Sequence, residues 1–187
     1  MEEFKSFDTL LEPDERWKYF AFHDPESNSP KPYTLDNRYN SIEKIKLNKN
    51  IPEDVQSQFN VAKMLCIYSW LYYPFHQVAE LKAFSTLEMA LRMRFPEFKS
   101  LSRLLSHAVD QGVITDKGFT NIQFKPNDPI NYSKQLPKLI SSMRNDLAHG
   151  TTTLHPGSLF TLNNCAEILN QLFSDTIENN KTNQQKN

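Results

Sequence analysis

Apolar residues recur at helical spacing through most of this chain. Leu162, Cys165, Ala166, Leu169, Leu172 and Phe173 share one face, which predicts a helix from about Pro156–Ser158 to about Glu178. Leu136, Ile140, Met143 and Leu147 make a second stripe. Ser133 suits the N-cap of that helix, which runs through Ala148 with Pro137 in its first turn. Leu101, Leu104, Leu105, Ala108 and Val109 predict a third helix over 97–111, with Gly112 placed as its C-terminal stop. Upstream, 75–95 reads as a longer helix ended by Pro96. Leu81, Phe84, Ser85, Glu88, Leu91, Arg92 and Phe95 share one face, so Glu88 interrupts an apolar surface. Ile51-Pro52-Glu53-Asp54 opens a further helix to about Tyr73, its acids in the first turn where the helix dipole favours them.

The first sixty residues are less regular. Pro13 suits the first turn of a short helix through Arg16 to Phe20, with Trp17, Phe20 and Phe22 as anchors. Residues 24–40, rich in Pro, Ser, Asn and Asp, read as a long loop. Residues 113–132 also read as loop, with a short extended piece around Ile122–Phe124. The polar 179–187 tail has nothing to bury and is expected to be disordered. The expected organisation is an N-terminal extension (1–60), a helical domain (61–178) and the tail.

Composition agrees with a helical domain: 39% hydrophobic, 23% charged and only four glycines among 187 residues. The longest apolar run, Val61 to Tyr73, contains Lys63 and is too short to span a bilayer. No secretory signal is visible at the N-terminus. Cys66 and Cys165 fall within apolar helical patterns and read as core thiols, so a cytoplasmic, reducing location is expected. Net charge is −1, but its distribution is uneven. Residues 1–60 carry 8 Lys/Arg against 12 Asp/Glu, and residues 61–150 carry 11 against 7. The basic excess is permissive for a phosphate-bearing ligand in the middle of the chain.

That middle segment holds Arg144-Asn145-Asp146-Leu147-Ala148-His149-Gly150. At about 100° per residue, Arg144 and His149 lie roughly 140° apart around a helix. Asn145 and His149 share the face opposite the apolar stripe, with Arg144 swung to the side. Helix-end chemistry alone accounts for part of this: cationic groups in the last turn, then a left-handed glycine.

The surrounding order adds a second meaning. A helix with Ala83, Leu87, Glu88, Ala90, Leu91 and Arg92 comes first, then one with Leu101, Leu104, Leu105, Ala108 and Gly112. Arg144-Asn145 with His149-Gly150 and a closing amphipathic helix follow. Over residues 75–175 this resembles the HEPN superfamily, whose signature is Arg-x4–6-His. The resemblance implies an all-α, antiparallel helical bundle, here with extra N-terminal helices, dimerising with its motif helices facing each other. It implies a metal-independent endoribonuclease without cofactor, leaving 2′,3′-cyclic phosphate and 5′-hydroxyl ends.

His149 is then the acid/base, Arg144 the phosphate stabiliser and Asn145 an orienting donor, with Glu88, Asp146 and His155 in support. Glu88 has two candidate partners, Arg144 across helices and Arg92 at i+4. RNA, a second copy and a protein regulator or antitoxin are the implied partners, in a toxin or phage-defence setting; no membrane is. The alternative is a non-catalytic HEPN-like interaction or nucleotide-sensing module, whose Arg144 and His149 are structural.

Other constellations carry less. His76 and Glu80 stand at i,i+4 without a third ligand and read as solvated surface, as does His107 with Asp110. No Gly-rich phosphate loop, Gly-x-Ser-x-Gly elbow or Cys/His zinc spacing is present.

Overall fold

Twenty residues without Gly or Pro, Phe75–Arg94, form the helix around which the others assemble. The computed structural model describes residues 2–120 and 131–174. Among them, in order, are a 3-10 turn Glu15–Tyr19, strands β1 (Ala21–Asp24) and β2 (Ser29–Pro32), and helices α1 (Leu35–Glu43), α2 (Glu53–Tyr68), α3 (Phe75–Arg94), α4 (Leu101–Asp110), α5 (Tyr132–Ala148) and α6 (Ser158–Leu172). The described chain is mostly helical. No described helix is long and apolar enough to cross a membrane.

Helix α3 packs against α2, α4, α5 and α6. Its buried residues, including Ala79, Ala83, Phe84, Leu87, Ala90 and Leu91, therefore wrap around it. On the face expected to be apolar, Phe84 and Leu91 are buried but Ser85 and Arg92 are exposed. The neighbours of α3, not its own periodicity, set its burial. One buried cluster takes in Ile42, Ile51, Val55 and Phe59 as well as Leu104, Leu136, Leu162 and Leu169. It spans both sides of residue 60, which α2 crosses without a break.

Several expected boundaries move, each for a local reason. The 24–40 loop is instead an antiparallel hairpin, pairing Ala21 with Pro32 and Asp24 with Ser29, followed by the start of α1. Asp24 accepts hydrogen bonds from the Glu26 and Ser27 backbones and the Ser27 hydroxyl, which closes the turn. Thr34 and Asn37 form a reciprocal capping box that starts α1. Helix α2 stops at Tyr68, short of Tyr73. There the Ser69 hydroxyl and the Arg38 guanidinium both donate to the Cys66 carbonyl.

Helix α4 begins at Leu101, capped by Ser100. It ends at Asp110 with Gln111 as C-cap, and the chain turns away at Gly112 (φ +68°), where Val113 N–H reaches Ala108 O and Gly112 N–H reaches Val109 O. Asn131, not Ser133, caps α5, so Pro137 lies beyond the first turn. Helix α6 ends at Leu172 instead of Glu178. The extended piece expected at 122–124 and the tail at 179–187 lie outside the described residues.

Candidate functional site

The last turn of α5 closes as the glycine suggests. His149 is its C-cap, Gly150 adopts φ +87°, Gly150 N–H donates to Leu147 O and Thr151 N–H to Asp146 O. These are the paired bonds of a left-handed helix terminus. Asn145 and His149 are both exposed on the side away from Leu136 and Ile140.

Arg144 turns toward α3 instead. Its Nη2 lies 3.2 Å from Glu88 Oε2, while Arg92 Nη2 lies 2.6 Å from Glu88 Oε1. Both partners considered for Glu88 are therefore realised at once, one on each oxygen. The carboxylate is only 14% exposed, whereas the two guanidinium side chains are 37% and 46% exposed. One negative charge thus anchors two positive ones at the surface. Arg144 Nη1 lies 3.4 Å from Asn145 Oδ1, and its Nε is buried with no hydrogen-bond partner.

His149 faces a different neighbourhood. It lines a cavity of about 430 Å3 with Asp146, Thr151, Thr153, His155 and Glu80. Gln77, on α3, pins the far wall by donating to the carbonyls of Thr151 (3.0 Å) and Thr153 (2.8 Å). One turn further along α3, Glu80 accepts from the Thr161 hydroxyl at 2.9 Å and stands 3.5 Å from His155 Nε2. Gly157 N–H donates to His155 Nδ1 at 3.0 Å, and a Cβ on Gly157 would lie 2.5 Å from that atom. Burial pushes the Glu80 carboxyl up from its ordinary pKa, against the opposing pull of His155 and the Thr161 hydroxyl.

Within one chain, then, Arg144 and His149 look to different stretches of α3. Arg144 meets Glu88, while His149 and His155 share the cavity beside Glu80. Asp146 lines that cavity too. A larger cavity of about 690 Å3 lies elsewhere, between the C-terminal half of α6 and residues 112–120. Its polar side chains already staple loops: Glu167 accepts from Thr120 and Gln171 from Thr115 N–H.

The reading of His76 and Glu80 as solvated surface is overturned: each is 1% exposed. His76 Nδ1 lies 2.6 Å from Ser158 Oγ, which lies 3.0 Å from Cys66 Sγ. Arg38 donates to Cys66 Sγ and to Ser69 Oγ, and Trp17 stacks on Tyr33 and Trp70 while donating to Ser69 O. Burial, with the nearby Arg38 charge, lowers the His76 pKa to about 3 and keeps the ring neutral. This polar seam joins the N-terminal segment, α2, α3 and α6. The only sequence signal for it was the i,i+4 pair itself, because Arg38 and Ser158 are remote in the chain.

His107 is likewise no free surface residue: its ring packs on Phe95 and Phe98. Both cysteines are buried and unpaired, and burial raises both thiol pKa values. Among the described residues, no three His, Cys, Asp or Glu side chains converge as a metal-binding group. No family model, curated protein or solved structure matches the chain.

Proposed function

We propose that this chain is a metal-independent endoribonuclease of the HEPN type, acting as a homodimer through its α5 helices. The observation that carries the reading is Arg144: a guanidinium held at the surface by Glu88 with its side chain still 37% exposed. Arginine in this state suits a phosphate whose charge grows in the transition state. His149, at the end of the same helix and opening onto a cavity, supplies an imidazole for the acid/base role.

The chemistry balances without a cofactor. His149 takes the proton of a ribose 2′-hydroxyl, and that oxygen bonds to the adjacent phosphorus. The bond from phosphorus to O5′ breaks, and a histidine in its acid form returns a proton to O5′. The products are a 2′,3′-cyclic phosphate and a 5′-hydroxyl end. Arg144 neutralises the non-bridging oxygens, and Asn145 orients them. Apposing two α5 helices supplies each Arg144 with the His149 of the other copy, which answers the divergence of the two side chains within one chain.

A second reading rests on the helix terminus. The paired bonds at Gly150 and the Glu88 ion pair already give both motif residues a structural role, as in a non-catalytic interaction or nucleotide-sensing module. One comparison separates the two: wild type and His149→Ala on mixed RNA in EDTA, with product ends analysed. The ribonuclease produces cyclic-phosphate ends, and the variant loses about 10²–10⁴-fold in rate with its fold intact. Absence of cleavage by wild type supports the module.

A further inference from the structure

Glu88 holds more cation than its charge requires, and the surplus runs away from Arg144 in one direction. Arg92 occupies the second carboxylate oxygen, and its Nη2 also donates to the Lys99 carbonyl. That bond ties the end of α3 to the 95–100 turn and brings the backbone of Lys99, an exposed residue, to Arg92. Ser100 then caps α4, and exposed Arg103 follows one turn after Lys99. Arg144, Arg92 and Lys99 are thus linked through Glu88 and one backbone carbonyl. Glu88 is the one carboxylate these bonds hold among them.

From this juxtaposition we infer that Arg92 and Lys99 form a second phosphate subsite, extending the Arg144 site into a track for the backbone of single-stranded RNA. The inference rests on the ribonuclease reading for the identity of the polyanion, not for the existence of the track. The two guanidinium groups sit on opposite oxygens of one carboxylate, Arg144 on Oε2 and Arg92 on Oε1, so two cations are held next to each other at the surface. Arg144 contacts one phosphate and Arg92 the next, with Lys99 beyond it. Nothing here reads a base, so the track supplies affinity and register without sequence preference. Glu88 acts as a positioning residue, and it keeps the two arginines from repelling each other before RNA arrives.

The test uses the full chain and a labelled single-stranded octanucleotide of 2′-O-methyl RNA, which lacks the attacking hydroxyl. Affinity is measured by fluorescence anisotropy in EDTA over a range of salt. Wild type, Arg92→Gln, Arg92→Lys and Lys99→Gln are compared, alongside a 2′-O-methyl dinucleotide that carries one phosphate. The expected result for Arg92→Gln is weaker octanucleotide binding, with the slope of log K against log salt falling by about 0.7. Arg92→Lys restores the slope, Lys99→Gln lowers it again, and the octanucleotide loses more than the dinucleotide.

An unchanged slope in Arg92→Gln, or equal losses on both ligands, overturns the subsite and reduces Arg92 to a support for Glu88. Failure of wild type to bind the octanucleotide also overturns it. Binding with the expected slopes, but no cleavage of unmodified RNA, leaves the track standing and removes the ribonuclease.

Discussion

Helix α3 carries two glutamates two turns apart, and they live in opposite conditions. Glu80 is sealed: it is 1% exposed, takes a hydroxyl from Thr161 and a histidine, and neighbours the seam of His76, Ser158, Cys66 and Arg38. Glu88 is at the rim and holds two arginines that remain substantially exposed. At the closed end, polar groups are mostly consumed by one another, which fixes how the N-terminal segment, α2 and α6 meet. At the open end, cations outnumber the acid that anchors them; each end leaves one buried nitrogen without an internal partner, His76 Nε2 at the closed end and Arg144 Nε at the open one. A sealed polar cluster specifies a fold, whereas an exposed excess of cation is suited to an anionic ligand.

The sharpest way to break this contrast is at its closed end. Trp17→Ala removes the ring that stacks on Tyr33 and Trp70 and the donor to Ser69 O. It should cost about 3–5 kcal/mol in chemical denaturation, near the whole margin of many domains. Glu88→Ala should do the reverse. Its partners are exposed, so stability should change by no more than about 1 kcal/mol. RNA cleavage should fall on the order of 10²-fold as Arg144 loses its anchor. Equal damage to stability by both variants would erase the distinction.

The closed end should also carry its own acid sensitivity. The folded pKa of His76 is lowered to about 3, below an unfolded value near 6.5. Its contribution to stability is therefore present above about pH 6.5 and is lost as pH falls toward the folded value. The steepest loss is about 1.4 kcal/mol per pH unit. His76→Gln, compared with wild type in urea titrations from pH 7 to 4, should flatten that loss; parallel curves would count against it.

The smallest effect compares two glycines. Gly112 and Gly150 both have positive φ, and a Cβ on either meets nothing within 4 Å. Alanine at each should cost about 1 kcal/mol through backbone strain alone. Only Gly150→Ala, beside His149, should also slow RNA cleavage; an equal effect of both on cleavage would sever the link between that helix end and the site.

Much of the helical framework was legible in the chain. The stripes of α5 and α6, the Gly112 and Gly150 stops, the Phe75 start of α3 and its Pro96 boundary follow from local spacing and backbone chemistry. The hairpin over 21–32 was not, because its Pro- and Ser-rich composition is that of a loop, and pairing is a non-local event. Nor was the burial of His76 and Glu80. Their spacing is equally consistent with solvent, and only α6, Ser158 and Trp17 closing over them decides otherwise. For the site, Arg144, Asn145, His149 and Glu88 stood out as polar residues that helix propensity did not require. Glu88 had two candidate partners in the sequence and took both.

The sequence by itself therefore determined a helical chain, where α3, α4 and α5 stop, and which polar side chains lie near the end of α5. These are short-range consequences of periodicity, capping and φ restrictions. Tertiary structure alone decided that α3 would be surrounded, that one of its glutamates would be sealed and the other shared by two arginines. It also decided that His149 would open onto a cavity with His155. Those outcomes depend on which helices meet, and burial and ion pairing are properties of that meeting rather than of any residue's neighbours along the chain.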